Sequence, residues 1–131
     1  IKQAREIDYQ GNVLASISLP QPRSLESLGN ENSNNVKSVY PKISPEFIQK
    51  FFNTYGYEPG IYGPNAYALM YLIKDDLITS EKNYSSETLL KQLRNLPQTY
   101  NSVLGTVKPQ NQEIPFELFP VEIQNGEVVY K

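Results

Sequence analysis

The segment Pro64–Thr79 constrains the fold of this 131-residue chain more than any other. Its apolar residues recur at helical spacing, and no charged residue occurs over Ala66–Ile73. A helix that is apolar on nearly every side is buried against several neighbours, whereas a surface helix carries a single apolar stripe. The segment is too short to span a bilayer, and charges interrupt it from Lys74 onward. We therefore expect a core helix here, with most other elements packed around it.

Composition excludes several classes of function. The net charge is −2 with no long run of either sign, which argues against nucleic acid, because a basic surface supplies most of that affinity. It also argues against electrostatic docking to a membrane. The absence of Cys and His excludes thiol catalysis, His-based triads and zinc sites with those ligands. No calcium-loop, phosphate-loop or dinucleotide motif occurs, so we expect no metal, no cofactor and no catalytic residue.

Further helices are predicted from capping signals and apolar periodicity. They cover residues 1–10, 24–28, 44–55 and 85–96. Ser44 gives the clearest start, because it supplies an N-cap oxygen and Pro45 follows at the first helical position. Ser24 is expected to cap the second helix, and Gly11 and Gly56 to end the first and third. The face of the third helix expected to be buried consists of Phe47, Ile48, Phe51, Phe52 and Tyr55.

Strands are predicted over residues 12–19, 36–40, 116–124 and 127–130, with an extended run over 102–107 and a polar loop over 30–35. Asn125-Gly126 is the strongest short signal for a hairpin. The early order of strand, helix and strand is typical of a parallel sheet, which is covered on both faces. Two strands and part of a helix do not make such a sheet, and the chain begins at Ile1. We therefore expect a piece of a larger protein, or a chain that borrows strands from a partner.

Several short motifs follow one another along the chain. They are Gln3-Ala4-Arg5-Glu6, Gly11 before a strand, Pro45-Glu46-Phe47, Phe51, Tyr55-Gly56, Ala66-Tyr67-Ala68-Leu69, Leu93 to Leu96, Gly105-Thr106-Val107 and Ile123-Gln124-Asn125-Gly126-Glu127-Val128-Val129. Their order and spacing resemble the C-terminal part of the type I periplasmic solute-binding proteins, which include branched-chain amino acid binding proteins and extracellular ligand-binding receptors. The resemblance covers essentially this whole chain, but only the last third or so of the family's usual length. Ala68 departs from the pattern, since the family often has Asp there.

The resemblance implies an α/β fold. The chain would be the C-terminal portion of a two-lobed, Rossmann-like type I periplasmic binding protein that ends in a β-hairpin. In that family the chain crosses between the lobes three times. Projected here, residues 1–40 and 108–131 belong to the C-terminal lobe, and residues 41–107 supply elements of the N-terminal lobe.

The resemblance also implies a function without catalysis. The chain would belong to the extracytoplasmic subunit of an ABC-type transporter that closes two lobes on an amino acid or a similar small molecule. The implied partners are that ligand, the missing N-terminal part of the same protein and a membrane permease. The implied location is periplasmic or extracellular, with or without a membrane tether. A second class stays open, because a Tyr-rich chain also suits an autonomous interaction or sensory domain that binds a protein partner or dimerises.

Two tyrosines are the candidate ligand-binding residues. Tyr62 matches a position at which the amino acid binders place an aromatic ring against the ligand, and a rigid ring with a polar tip suits that role. The alternative is that Tyr57 and Tyr62 pack a Pro-Gly loop. Tyr40 ends a strand at a projected crossover, and ligands of open α/β folds bind beyond such strand ends. The alternative is that its ring fills the edge of the core.

Weaker candidates come from the remaining polar residues. Ser18 and Gln21 lie at the end of the first predicted strand. Asp75, Asp76 and Glu81 would be paired carboxylates only if they converged in a cleft, and a solvated helix end is the simpler explanation. The resemblance implies that most residues that hold the charged groups of an amino acid lie upstream of Ile1.

Overall fold

The computed structural model describes residues 1–79, 85–95, 99–108, 110, 113 and 115–131. The helices are α1 (Lys2–Glu6), α2 (Pro22–Leu28), α3 (Asn30–Ser33), α4 (Pro45–Tyr55), α5 (Tyr62–Thr79) and α6 (Ser86–Arg94). The strands are β1 (Val13–Leu14), β2 (Val36–Tyr40), β3 (Tyr100–Ser102), β4 (Gly105–Val107), β5 (Phe119–Gln124) and β6 (Glu127–Tyr130). The mixture of helices and strands confirms the expected α/β class.

The main sheet has the strand order β1-β2-β5-β6. β1 runs parallel to β2, with Val13 beside Val36, which confirms the predicted parallel pair. β5 pairs with β2 in antiparallel register, so that Phe119 lies opposite Tyr40, and β6 returns along β5. The sheet therefore joins a parallel start to an antiparallel hairpin from the other end of the chain.

One face of the main sheet is packed against α2 and the neighbouring core. We call it the packed face. It consists of Val13, Val36, Ser38, Tyr40, Phe119, Val121, Ile123, Val128 and Tyr130. Val36 and Ile123 have no exposed surface, and Leu25 of α2 packs on them. On the opposite face Leu14 is 86% exposed. The described residues thus cover one face of the sheet.

The terminal hairpin turns at Asn125-Gly126, as predicted. Both residues have positive φ, 52° and 82°, which matches the twist of a tight hairpin. The predicted loop over 30–35 is wrong in part, because Asn30–Ser33 form α3. The hydroxyl of Ser33 accepts a hydrogen bond from the Gly126 amide, and the side-chain oxygen of Asn34 accepts one from the Asn125 amide, both 2.9 Å long. These hydrogen bonds between distant residues explain the helical conformation of Asn30–Ser33, which the local sequence did not indicate.

Three predicted boundaries near the start of the chain are wrong. α1 ends at Glu6, where residue 10 was expected, and Asp8 rather than Gly11 takes a positive φ of 64°. Gly11 instead lies against the ring of Tyr9, where a Cβ would collide. β1 is two residues long where 12–19 was expected, because its backbone pairs with β2 only at that point. Residues 17–20 form a turn, and Ala15, Ile17 and Leu19 pack on the core.

The predicted N-cap of α2 is wrong, whereas the predicted N-cap of α4 is confirmed. α2 begins at Pro22 with Gln21 as N-cap, so the predicted cap at Ser24 is wrong. For α4 the prediction is confirmed, because the Ser44 hydroxyl accepts a hydrogen bond from the Phe47 amide at 3.3 Å. Gly56 ends α4 in the left-handed conformation, as expected. Two residues of the predicted buried face, Phe52 and Tyr55, are exposed.

The predicted core helix is present as α5 and starts two residues earlier, at Tyr62. Its burial differs from the prediction. Leu72 is almost completely buried, whereas Leu69 is exposed and Met70 is 62% exposed. The other described elements pack on one side of α5 only. The side chains of residues 75–79 lie outside the description.

The predictions after α5 need smaller corrections. The extended run over 102–107 is a hairpin of β3 and β4, since Asn101 pairs with Thr106. β5 begins at Phe119 rather than at residue 116. The Ser85 hydroxyl accepts a hydrogen bond from the Thr88 amide at 3.1 Å, as a helix cap does. The expected end of α6 at residue 96 lies outside the described residues.

Candidate ligand-binding site

Tyr40 is the last residue of β2 and lies on the packed face. Its side chain is 5% exposed and belongs to a core cluster with Phe47. Its hydroxyl is buried and forms no hydrogen bond with any residue in the described part of the chain. Burial raises the pKa of Tyr40 to about 12, with smaller contributions from Tyr130 and Glu58. The ring fills the edge of the core, and the phenol is neutral at physiological pH.

The chain leaves the sheet directly after Tyr40 through a crossover segment, residues 41–44. The hydroxyl of Tyr130 donates a hydrogen bond to the Pro41 carbonyl at 2.8 Å, and the ammonium group of Lys42 lies 5.9 Å from the centre of the Tyr130 ring. The amide of Ser44 donates to the Val103 carbonyl at 2.8 Å. The sheet therefore holds one end of the crossover, and the β3–β4 hairpin holds the other.

A cavity of about 1120 Å³, here the Tyr40 cavity, lies between the packed face, α2, the crossover segment and the β3–β4 hairpin. Leu25, Tyr40 and Leu104 form part of its apolar wall. The charged residues that line it are Glu26, Lys42, Glu58, Glu117 and Glu127. Four carboxylates against one ammonium group give this cavity a negative potential.

A second cavity of about 430 Å³, here the Tyr62 cavity, lies between the start of α2 and the loop that leads into α5. Its lining residues are Gln21, Pro22, Arg23, Ser24, Phe51, Tyr57, Glu58, Gly60, Tyr62 and Gly63. The guanidinium carbon of Arg23 lies 5.3 Å from the centre of the Tyr57 ring, within the range of a cation–π contact. A Cβ on Gly60 would lie 2.6 Å from the side-chain oxygen of Gln21, so a glycine lets the loop approach α2 closely.

The two cavities are neighbours, because Pro22 and Glu58 line both of them. Together they form a cleft between the sheet with α2 and the region of α4 and α5. The volume of the Tyr62 cavity lies within the range of small-molecule sites, about 300–1,000 Å³, and that of the Tyr40 cavity slightly exceeds it. The cleft therefore has the dimensions and the mixed apolar and polar lining of a ligand-binding site.

The structure places the predicted site residues at different points of this cleft. Tyr62 stands at the start of α5 with 77% of its side chain exposed, in the cavity that bears its name. Tyr40 lines the other cavity, so the two tyrosines are not brought together. Gln21 lines the Tyr62 cavity, whereas Ser18 lines neither and shares a 2.7 Å hydrogen bond with Ser16. A ligand-binding role for Tyr62 and Tyr40 stays a prediction.

Sequence reasoning missed Arg23 and Glu58. Glu58 is the one charged residue in the aromatic segment 57–63, and that contrast was a usable signal. Arg23 gave no signal, because a cation in a short helix is usually a solvated surface residue. Only the folded chain brings α2 beside this loop. The side chains of Asp75 and Asp76 and all of Glu81 lie outside the described residues. The hypothesis that these carboxylates converge in a cleft therefore stays untested.

No group of three or more carboxylates in the described part of the chain is arranged to hold a metal ion. Within the same residues, no helix has the length and apolar character needed to cross a membrane.

No protein-family model and no curated protein matches this sequence. Solved structures do match it over almost its whole length. An extracellular ligand binding receptor from Desulfohalobium retbaense aligns with a TM-score of 0.77 at 20% identity, over 99% of this chain and 24% of that one. The leucine binding protein LivK from Thermotoga maritima aligns with a TM-score of 0.77 at 17% identity, over 98% and 39%.

A third structure is the branched-chain amino acid transporter substrate binding protein LivJ from Streptococcus pneumoniae, in complex with isoleucine. It aligns with a TM-score of 0.76 at 17% identity, over 98% of this chain and 40% of that one. The described residues therefore have the type I periplasmic binding protein fold. The chain spans 24–40% of the length of these three proteins.

Proposed function

We propose that this chain is part of an extracytoplasmic solute-binding protein of an ABC-type transporter, which binds an amino acid or a similar small molecule without catalysis. The observation that carries this proposal is the cleft formed by the Tyr40 and Tyr62 cavities, between the sheet with α2 and the region of α4 and α5. The leucine and isoleucine in the names of the two Liv proteins support the ligand class. A membrane permease would receive the solute, in the periplasm or at the cell exterior.

The proposed lobes follow from the path of the chain. Residues 1–40 and 108–131 would belong to the C-terminal lobe, and residues 41–107 to the N-terminal lobe. All four strands of the main sheet come from the first two segments. Helices α4 to α6 and the β3–β4 hairpin come from the third segment. The crossover at 41–44 would then be one hinge of the protein.

Solute binding would act through the relative position of these lobes. A solute in the cleft contacts α2 on one side and Tyr62 on the other, so it favours a closed arrangement over an open one. Hydrogen bonds at Pro41 and Ser44 hold the two ends of the crossover, which leaves residues 42 and 43 to absorb the rotation.

The test uses the longest polypeptide that carries this chain. Thermal unfolding is measured with each of the twenty free amino acids, leucine and isoleucine first, and X-ray scattering then measures the radius of gyration with and without the best binder. We expect a raised melting temperature and a smaller radius. No shift with any amino acid would contradict the proposed ligand class.

A matched pair of variants shows whether binding uses the cleft. Tyr62→Ala removes the exposed ring from the Tyr62 cavity and should weaken binding of the best amino acid about tenfold, as the loss of an aromatic contact does. Tyr9→Ala removes a half-exposed ring that lines neither cavity, and its affinity should equal the wild-type value. Equal losses in both variants would argue against the cleft.

A second function is favoured by the exposed apolar side of α5. Tyr62, Leu69 and Met70 give a contact surface that an autonomous interaction or sensory domain would use. Native mass spectrometry discriminates between the two functions. A 131-residue chain that is stable as a dimer, and that binds no amino acid, would favour the interaction domain.

A further inference from the structure

The turn of the terminal hairpin contains a chemically labile pair, Asn125-Gly126. Asparagine is a thermolabile residue because the backbone nitrogen of the next residue can attack its side-chain amide. Glycine in the next position favours this attack, since it has no side chain to hinder the approach. The two reacting atoms here are Cγ of Asn125 and the backbone nitrogen of Gly126, so the turn is a candidate site of deamidation.

The fold requires this labile pair. Asn125 and Gly126 have φ values of 52° and 82°, and asparagine and glycine are among the residues that most readily adopt them. Helix α3 also lies directly against the turn, since a Cβ on Gly126 would collide with the side chain of Asn30. A less labile residue at position 126 would therefore strain the backbone and displace α3.

Helix α3 and the residue after it engage both backbone amides of the turn. The Gly126 amide donates a hydrogen bond to the Ser33 hydroxyl at 2.9 Å. The Asn125 amide donates to the side-chain oxygen of Asn34, also at 2.9 Å. The Ser33 hydroxyl itself donates to the Asn30 carbonyl at 2.7 Å, so its hydrogen is engaged and its oxygen is left to accept. Because Ser33 is completely buried, its hydroxyl is fixed on the amide that has to react.

Deamidation begins at the nitrogen that Ser33 holds. The Gly126 amide loses its proton to solvent, and its nitrogen forms a bond to Cγ of Asn125. The Cγ–Nδ2 bond then breaks, and ammonia leaves with a proton taken back from solvent, which produces a five-membered succinimide. Water opens this ring at either carbonyl to give aspartate or isoaspartate. An amide that donates to Ser33 keeps its proton, so it is not available for the first step.

We propose that Asn125-Gly126 is a deamidation site that α3 protects, with the Ser33 hydroxyl as the main protecting group. Modification then proceeds when α3 releases the hairpin by local opening, so its rate reports the stability of that contact. The protection needs no solute and is therefore independent of the proposed function.

Isoaspartate would be the damaging product. It lengthens the main chain of the turn, because the chain then runs through the former side chain of Asn125. Gln124 pairs with Glu127 across this turn, so the register of β5 and β6 depends on the length of the turn. β6 also carries Tyr130, whose hydroxyl donates to the Pro41 carbonyl. An unprotected turn would loosen both the hairpin and the crossover segment that is proposed as a hinge.

The experiment measures deamidation in the longest polypeptide that carries this chain. The protein is incubated in mildly alkaline buffer, and mass spectrometry of its proteolytic fragments follows the conversion of Asn125 to aspartate and isoaspartate. A synthetic peptide with the sequence of the turn gives the unprotected rate. The variants are Ser33→Ala and Asn34→Ala. Their controls, Ser38→Ala and Asn53→Ala, make the same chemical changes at residues that bond elsewhere, on β1 and within α4.

We expect the wild type to deamidate at least about tenfold more slowly than the peptide, because two hydrogen bonds are lost when the turn opens. Ser33→Ala should raise the rate about fivefold, since it removes the bond to the reacting amide. Asn34→Ala should raise the rate by a smaller factor, because its bond holds the neighbouring amide. Both controls should deamidate at the wild-type rate.

Three results would overturn the inference. One is a wild-type rate equal to that of the peptide, and another is a wild-type rate in both Ser33→Ala and Asn34→Ala. The third is equal acceleration in the variants and their controls, which would indicate a general loss of stability. Circular dichroism shows whether Ser33→Ala folds. If it does not, Asn34→Ala decides against Asn53→Ala, since Asn34 is exposed and its truncation leaves the core intact.

Discussion

The packed face of the main sheet and helix α5 are both rich in apolar residues, yet they differ in how completely those residues are buried. Val36 and Ile123 on the packed face have no exposed surface. Leu69 and Met70 on α5 are exposed, although Leu72 in the next turn is buried. An apolar pattern indicates how much surface needs to be buried, but the rest of the fold decides how much of that surface is buried.

The reason lies in the periodicity of each element. Side chains of a strand alternate between two faces, so α2 on one side of the sheet is enough to bury Val36 and Ile123. The side chains of a helix point in all directions around its axis. A helix that is apolar on nearly every side needs neighbours on several sides, and the described residues contact one side of α5.

The largest effect should come from the packed face. Ile123→Ala removes a completely buried side chain, and we expect a loss of about 3 kcal/mol in the free energy of unfolding. Urea denaturation followed by circular dichroism measures this loss. Ile7→Ala is the matched control, because Ile7 is mostly exposed, and it should cost less than about 0.5 kcal/mol. Similar losses in the two variants would contradict the claim that burial on the packed face determines how much a side chain contributes to stability.

The next largest effect is expected on α5, where the same substitution is compared in the 131-residue chain and in the longest polypeptide that carries it. Met70→Ala should change the stability of the 131-residue chain by less than about 0.5 kcal/mol, because this side chain is largely exposed there. In the longest polypeptide that carries this chain we expect a loss of about 2 kcal/mol, since a covered Met leaves a cavity when truncated. Urea denaturation of both forms gives the two values. Equal small changes would mean that nothing covers this side of α5.

A third prediction uses the buried phenol of Tyr40. Its pKa is raised to about 12, above the value of about 10 for an unfolded chain, so ionisation favours unfolding between these two pH values. The wild type should lose as much as about 2 kcal/mol more than Tyr40→Phe as the pH rises from 9 to 12. Below pH 9 this contribution is fully present and constant. Denaturation midpoints at a series of pH values measure the difference, and parallel curves would contradict it.

At neutral pH the same variant should be at least as stable as the wild type. The substitution removes a buried hydroxyl that forms no hydrogen bond with any described residue. Burial of such an unpaired group costs free energy. A clear loss of stability in Tyr40→Phe at pH 7 would show that the hydroxyl has a partner in solution.

The smallest effect is expected on the sheet face opposite the packed face, at Glu122 of β5. The ammonium group of Lys131 lies 2.7 Å from the Glu122 carboxylate, and this contact is the main cause of a lowered pKa at Glu122. Lys131→Gln should raise the pKa of Glu122 toward its ordinary value, which an NMR titration measures. The contribution of the pair to stability is present at neutral pH and is lost as the pH falls through the lowered pKa. Lys37→Gln should shift the same pKa less, because its contribution is smaller.

Local signals predicted the elements that the local sequence controls. Ser44, Pro45 and Gly56 define α4 without help from the rest of the chain, and Asn125-Gly126 forms its turn for the same reason. The predicted length of β1 and the predicted loop over residues 30–35 were wrong, because β1 and α3 each depend on distant partners. β1 is as long as its pairing with β2, and α3 is held against the terminal hairpin through Ser33.

The sequence directed attention to some of the residues that line the cleft. The resemblance drew attention to Tyr62 and Tyr40, and the structure places both beside the cleft, in separate cavities. Arg23 and Glu58 were not recognised, since they are 35 positions apart and no local pattern links them. Their proximity depends on the packing of α2 against the loop at Gly60.

The sequence by itself determined the caps, the turns and the apolar periodicities, because those follow from the conformational preferences of a few adjacent residues. It also indicated the type I periplasmic binding protein fold through the order of its motifs. The tertiary structure decided which apolar faces are covered, where β1 ends, and which charges share a cavity. These properties depend on contacts between residues that are far apart in the chain, and such contacts form only when the backbone has folded around them.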